Sequence, residues 1–193
     1  MTDSLPHYQQ IRDPDEKRAL ADRGMDFALV ASRFNESVVN RLVEGATATL
    51  VARGANVKNI DLIQVPGAFE LPAAARLCAD TGMYDAIIAL GCVIRGETPH
   101  FDYVASECAR NLARLARRED MPILFGVLTT DTREQAEQRS VLFDDWQDPA
   151  PRMEGDRKVS NKGAEAAVAA LEMIEVFAEI MEDIDDDDDD DDD

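Results

Sequence analysis

Cysteine is scarce in this chain and histidine scarcer, with three of the first and two of the second in 193 residues. Cys78, Cys92 and Cys108 are an odd number without CxxC spacing. Disulfide and zinc frameworks therefore lack support, and buried reduced thiols are predicted. No histidine pair suggests a metal site. No apolar run approaches the roughly 18 residues that span a bilayer, so no membrane partner is expected. Residues 1–24 are polar and carry Pro6 and Pro14. They lack the basic-then-apolar order of a signal peptide and read as a flexible arm on a cytoplasmic protein. GxGxxG after the first strand, GxxxxGK[ST] and GxSxG are all missing. A nicotinamide enzyme and a nucleotide hydrolase thereby lose their main support.

Positive charge is short as well. Twenty Lys and Arg face forty Asp and Glu, a formal charge of −20. Such a surface repels phosphates and argues against a nucleic-acid partner. Nine of the acids form the run 185–193, leaving −11 on the other 184 residues. A like-charged block repels itself, so residues 183–193 are expected as a disordered tail. The remaining acidity reads as solvation. Four lysines against sixteen arginines suit a salt-rich cytoplasm, and a bias in base composition gives the same ratio.

What is present is a globular body, 45% hydrophobic, of a size for one domain over residues 25–182. Strand and helix signals alternate along it. Phe27-Ala-Leu-Val-Ala-Ser is a short apolar run, after which Asn35 and Ser37 can cap a helix that stops at Gly54. Ile60-Asp-Leu-Ile-Gln-Val is the second strand, followed by a helix from about Phe69 to Asp80. Asp85-Ala-Ile-Ile-Ala-Leu-Gly-Cys-Val-Ile is nearly all apolar, as a central parallel strand covered on both faces should be. A helix with Phe101, Val104, Ala105, Cys108, Leu112 and Leu115 inward comes next. Pro122-Ile-Leu-Phe-Gly-Val-Leu-Thr is the last strand, and Thr129 to Gln138 reads as a helix opening. Residues 140–160 read as an irregular acidic loop, and a long final helix runs from Lys162 to about Met181. Four strands alternating with helices predict an α/β fold: a four-stranded parallel sheet in a flavodoxin-like three-layer sandwich with right-handed crossovers.

Ligands in such sheets lie beyond the carboxyl ends of the strands. The polar clusters fall there. Gly96-Glu97-Thr98-Pro99-His100 joins a buried strand to a helix, where free N–H groups and a hydroxyl favour phosphate. The same segment reads as a tight turn with Thr98 as N-cap. His100 suits proton transfer near neutrality, or is simply a structural histidine.

Five segments in order carry a family resemblance: Ser32-Arg-Phe-Asn35, Val65-Pro-Gly-Ala-Phe-Glu-Leu-Pro72, Gly91-Cys-Val-Ile-Arg-Gly-Glu-Thr-Pro-His-Phe-Asp-Tyr103, Pro122-Ile-Leu-Phe-Gly-Val-Leu-Thr129 and Asn161-Lys-Gly-Ala-Glu165. The chain resembles the lumazine synthases. The resemblance implies a cofactor-independent condensation of 5-amino-6-ribitylamino-2,4-pyrimidinedione with 3,4-dihydroxy-2-butanone 4-phosphate. The product is 6,7-dimethyl-8-ribityllumazine, with phosphate and water released. It also implies roles. Phe34 stacks on the pyrimidine and Asn35 sits near the ribityl chain. Ala68, Phe69 and Glu70 bind ribityl hydroxyls, and Val93 and Ile94 wall the ring. Gly96, Glu97 and Thr98 hold phosphate, His100 shuttles the proton and Arg139 grips the phosphate. Phe125 comes from a neighbouring subunit, and Lys162 and Glu165 form a polar pair. Structural readings stand beside several of these: Phe34 as a core cap, Glu70 as a first-turn acid favoured by the helix dipole, and Lys162 with Glu165 as an ion pair. A homo-oligomer is implied, a pentamer or a multiple of pentamers with sites between subunits.

Two departures from the family pattern stand out. Glu97 replaces a usually small residue, so its backbone N–H and not its carboxylate should face an anion. Residues 140–160 replace a short glycine-containing connection, close to where shell-forming members pack pentamer on pentamer. A free pentamer or decamer is therefore expected. Two competing functions stand beside it: an archaeal-type riboflavin synthase, which keeps the fold and needs no anion site for a ketone phosphate, and a non-catalytic lumazine or flavin carrier or shell protein, which has no use for a proton shuttle.

Overall fold

The structure, a computed structural model, describes residues 24–189 apart from 145, 147 and 148. The expected N-terminal arm and the end of the acidic tail thus lie outside the described residues. Chain order is β1 (Phe27–Ser32), α1 (Glu36–Ala52), β2 (Ile60–Val65), α2 (Leu71–Asp80), β3 (Ala86–Ile94), α3 (His100–Ala116), β4 (Ile123–Thr130), α4 (Arg133–Gln138), β5 (Arg152–Glu154), β6 (Arg157–Val159) and α5 (Lys162–Asp189). Short 3-10 turns precede β2 and α2.

The main sheet is four-stranded in the order β2-β1-β3-β4, and all its pairings are parallel. Side chains alternate across a strand, and the alternation divides the core into two layers. Phe27, Leu29, Ile88, Leu90 and Cys92 pack with Leu42, Ala46 and Leu50 of α1 and Ala167 and Ala170 of α5. Ala28, Val30, Ile87 and Ala89 pack with Leu71 and Ala75 of α2 and Cys108 and Leu112 of α3. The expected three-layer α/β sandwich is the architecture found. No helix among the described residues is long and apolar enough to cross a membrane.

Three local expectations differ from what the chain does. β4 continues to Thr130, and α4 opens at Thr132, whose hydroxyl accepts from Gln135 N while the Gln135 side chain accepts from Thr132 N. The Thr-x-x-Gln spacing is a capping box. Residues 140–160 are not wholly irregular, because β5 and β6 pair antiparallel across Gly155, whose φ of 61° suits a tight hairpin turn. The Gly-Asp dipeptide there is the signal that the loop reading passed over. Finally, α5 runs to Asp189, past the Met181 at which its apolar stripe ends. Burial marks where a helix packs, whereas each added residue of an existing helix needs only its own backbone bond.

Asn161 and Gly163 form the seam between α1 and α5. The fully buried Asn161 amide donates to Arg41 O at 2.9 Å and Val141 O at 3.1 Å. Its oxygen caps α5 by accepting from Gly163 N at 3.0 Å and Ala164 N at 3.1 Å. Gly163 lies against the α1 backbone, where an added Cβ would meet the Leu42 carbonyl group.

Candidate active site

The order of the sheet reverses between β1 and β3, and in such a sheet the crevice at the strand ends is the ligand site. A groove of about 630 Å3 opens there, within the 300–1,000 Å3 or so of ordinary small-molecule sites. Phe34, just past β1, stands at its mouth with 70% of its surface exposed. The turn after β2 supplies Ala68, Phe69 and Glu70, and β3 with its following loop supplies Val93, Ile94, Gly96, Thr98 and His100. The nine residues come from three chain segments and meet because parallel strands put all their carboxyl ends on one side.

Asn35 is the exception within this group. It takes the left-handed conformation (φ 58°), which Asn tolerates better than most residues, and its Nδ2 donates to Cys92 O at 2.9 Å. Its amide therefore ties α1 to β3 beneath the groove. Glu97 is exposed and absent from the lining, while Gly96 and Thr98 on either side line it. Cys92 also lines the groove, but burial pushes its thiol up to about 11 against a weaker pull from Arg133. A protonated thiol is a poor nucleophile.

Phe125, Arg139 and Lys162 line a different groove, of about 670 Å3, along β4, the end of α4 and the start of α5. β4 is an edge strand, and Phe125 is 47% exposed on it. The Arg139 Nη1 donates to Lys158 O at 2.7 Å, so the β5–β6 hairpin orients the guanidinium. Lys162 forms an ion pair with Glu165, three residues on, which is the structural reading of that pair. Apart from Asn35, Glu97 and Glu165, the residues singled out from sequence thus divide between two grooves. One holds Phe34, the turn of Ala68, Phe69 and Glu70, the loop after β3 and His100. The other holds a second aromatic and the cations.

The model of the 6,7-dimethyl-8-ribityllumazine synthase family matches residues 24–178, which takes in both grooves. The chain belongs to that family. It is accordingly an enzyme, a transferase with a lumazine synthase role in riboflavin biosynthesis. In this member of the family, several groove residues escaped the reading of the sequence. Tyr103 and Val104 line the first groove with His100. The (i, i+3, i+4) spacing from His100 at the start of α3 was the available signal. Thr129 and Thr130, a polar pair at a strand's carboxyl end as the sequence reading expects, line the second groove with Arg139, joined by Gln135 and Gln138, and no local pattern distinguishes the two glutamines from ordinary surface polar residues.

Proposed function

We propose that the chain condenses 5-amino-6-(D-ribitylamino)uracil with 3,4-dihydroxy-2-butanone 4-phosphate to give 6,7-dimethyl-8-ribityllumazine, with release of phosphate and water. The observation that carries the reading is the division just described. Phe34, Gly96, Thr98 and His100 share one groove, while Arg139 and Lys162 line another along the β4 edge of the sheet. Two copies of the chain reconcile them if the β4 edge of one closes the Phe34 groove of the next. The exposed aromatics Phe34, Phe69, Tyr103 and Phe125 have the character of surfaces made to be covered. A closed ring of such contacts is a homo-oligomer, a pentamer or multiple of pentamers, and a soluble cytoplasmic location suits its metabolite substrates.

In this arrangement Phe34 stacks on the pyrimidine, Val93 and Ile94 wall it, and Ala68, Phe69 and Glu70 take the ribityl hydroxyls. The backbone amides of Gly96, Glu97 and Thr98 with the neighbour's Arg139 hold the phosphate. The amine attacks the ketone and water leaves to form an imine. Phosphate is then eliminated, and ring closure follows with loss of a second water. His100, at the first turn of α3, accepts and returns the proton. Lys162 and Glu165 act as a pair beside Arg139, and Asn35 supports the ribityl end through its hold on β3. Bringing two substrates together contributes about 7–11 kcal/mol, and proton transfer through His100 about 10²–10⁴-fold.

The test is to mix the purified protein with both substrates. Lumazine fluorescence should rise with one phosphate released per product. Consumption of lumazine without phosphate release would instead mean a dismutating riboflavin synthase, and ligand binding without product would mean a carrier.

A further inference from the structure

We infer that Arg95 is the positioning residue of the anion loop: its guanidinium bridges Asp102 and Asp131, closes the segment 96–99 and keeps the Asp102 carboxylate from facing the bound phosphate. The inference rests on the reading of that loop given under Proposed function.

Arg95 is the first residue after β3. Its own N–H donates to Thr130 O at 2.9 Å. Its Nε donates to Asp131 Oδ1 at 2.9 Å. Nη1 donates to Asp102 Oδ2 at 3.3 Å and Nη2 lies 3.1 Å from Asp102 Oδ1. The guanidinium carbon sits 4.1 Å from the centre of the Phe101 ring. A planar, forked cation is the group that can serve two carboxylates and a ring face together.

The segment it encloses has little else to shape it. Residues 95–100 are all exposed. A Cβ on Gly96 would meet nothing within 4 Å, so packing does not dictate the path. The loop leaves from Arg95 and returns at Asp102, whose N–H donates to Pro99 O at 3.0 Å. The Arg95–Asp102 pair therefore spans the loop from base to base. One such exposed pair contributes little; three contacts on one guanidinium over a loop without competing contacts decide its form.

Charge supports the same role. Arg95 does not line the groove with Gly96, Thr98 and His100, and its hydrogen bonds to Asp102 and Asp131 hold its pKa above the usual arginine range. It is committed to the two aspartates and is not itself a phosphate ligand. Asp102, in the first turn of the helix that begins at His100, would otherwise present an uncompensated carboxylate two residues from the proton-transfer group.

Arg95→Met keeps the stem and removes the fork. We expect KM for the butanone phosphate to rise about tenfold and the inhibition constant of inorganic phosphate to rise with it. KM for the ribitylamino-pyrimidinedione should stay within about twofold. Arg95→Lys should recover part of the loss, since it restores charge without the fork. Asp102→Asn should shift the same constants in the same direction by less, because Asp131 still holds the guanidinium. Wild-type values for both phosphate constants in Arg95→Met, or an equal rise in both KM values, would overturn the inference. That result leaves the proposed function standing if the wild type forms lumazine. A wild type that releases no phosphate from the two substrates fails the function and the inference together.

Discussion

Replacing Gly163 by alanine tests the packing that carries the second groove. The new methyl would lie 2.6 Å from the carbonyl carbon and 2.9 Å from the Cα of Leu42, where ordinary contact begins at 3.4 Å. These are backbone atoms of α1, so no rotamer change relieves them, and the α1–α5 pair must separate. A gap of about 0.5–1 Å forfeits a quarter to a half of each contact along the seam. Overpacking of this kind costs about 1–3 kcal/mol and sometimes more, offset by at most about 1 kcal/mol for alanine over glycine in a helix. A net loss of about 1–2 kcal/mol lowers the melting temperature by roughly 2–8 °C for a chain of this size. Calorimetry or circular dichroism at a fixed protein concentration reads it, since assembly makes Tm concentration-dependent. Gly96→Ala is the control: an added Cβ there has open space, and the change should stay within about 0.5 kcal/mol. Equal melting of Gly163→Ala and wild type would refute the reasoning, because it would mean that α1 and α5 do not approach this closely in solution.

His100→Ala should slow turnover by about 10²–10⁴-fold without abolishing it, because orientation survives the loss of the proton shuttle; unchanged kcat would remove His100 from the mechanism. Arg139→Ala should raise KM for the butanone phosphate and lower turnover together, and wild-type values for both would end its assignment to the anion. The three thiols are pushed by burial from an ordinary 9.0 to about 11, so alkylation at pH 8 should be slow in the native protein and fast in urea. Their raised pKa values also mean stability that is complete below pH 9 and is lost as pH rises through about 11, where the unfolded chain has already released the protons; denaturant midpoints that rise between pH 9 and 11 would contradict this. Light scattering at low salt should find a pentamer or decamer, given −20 per chain, whereas high salt shortens the repulsion to a few ångströms and permits shell assembly; a sixty-subunit particle at both salts would refute that expectation.

Strand and helix order, the two-layer core and the loop with His100 were legible in one dimension, because each depends on local periodicity or on residues adjacent in the chain. The apolar runs of Phe27–Ser32 and Ala86–Ile94 are what parallel strands covered on both faces require, and the segments that resemble the lumazine synthases are contiguous. The tertiary structure decided the rest. That Phe125, Arg139 and Lys162 occupy a groove apart from His100 follows from the strand order β2-β1-β3-β4, which no single segment encodes. That Asn35 spends its amide on Cys92 O, and that Asn161 and Gly163 serve helix packing, follows from contacts between residues distant in sequence. Local propensity specifies what each segment becomes; which segments then touch depends on how their apolar faces are buried together, and the site is made of those touches.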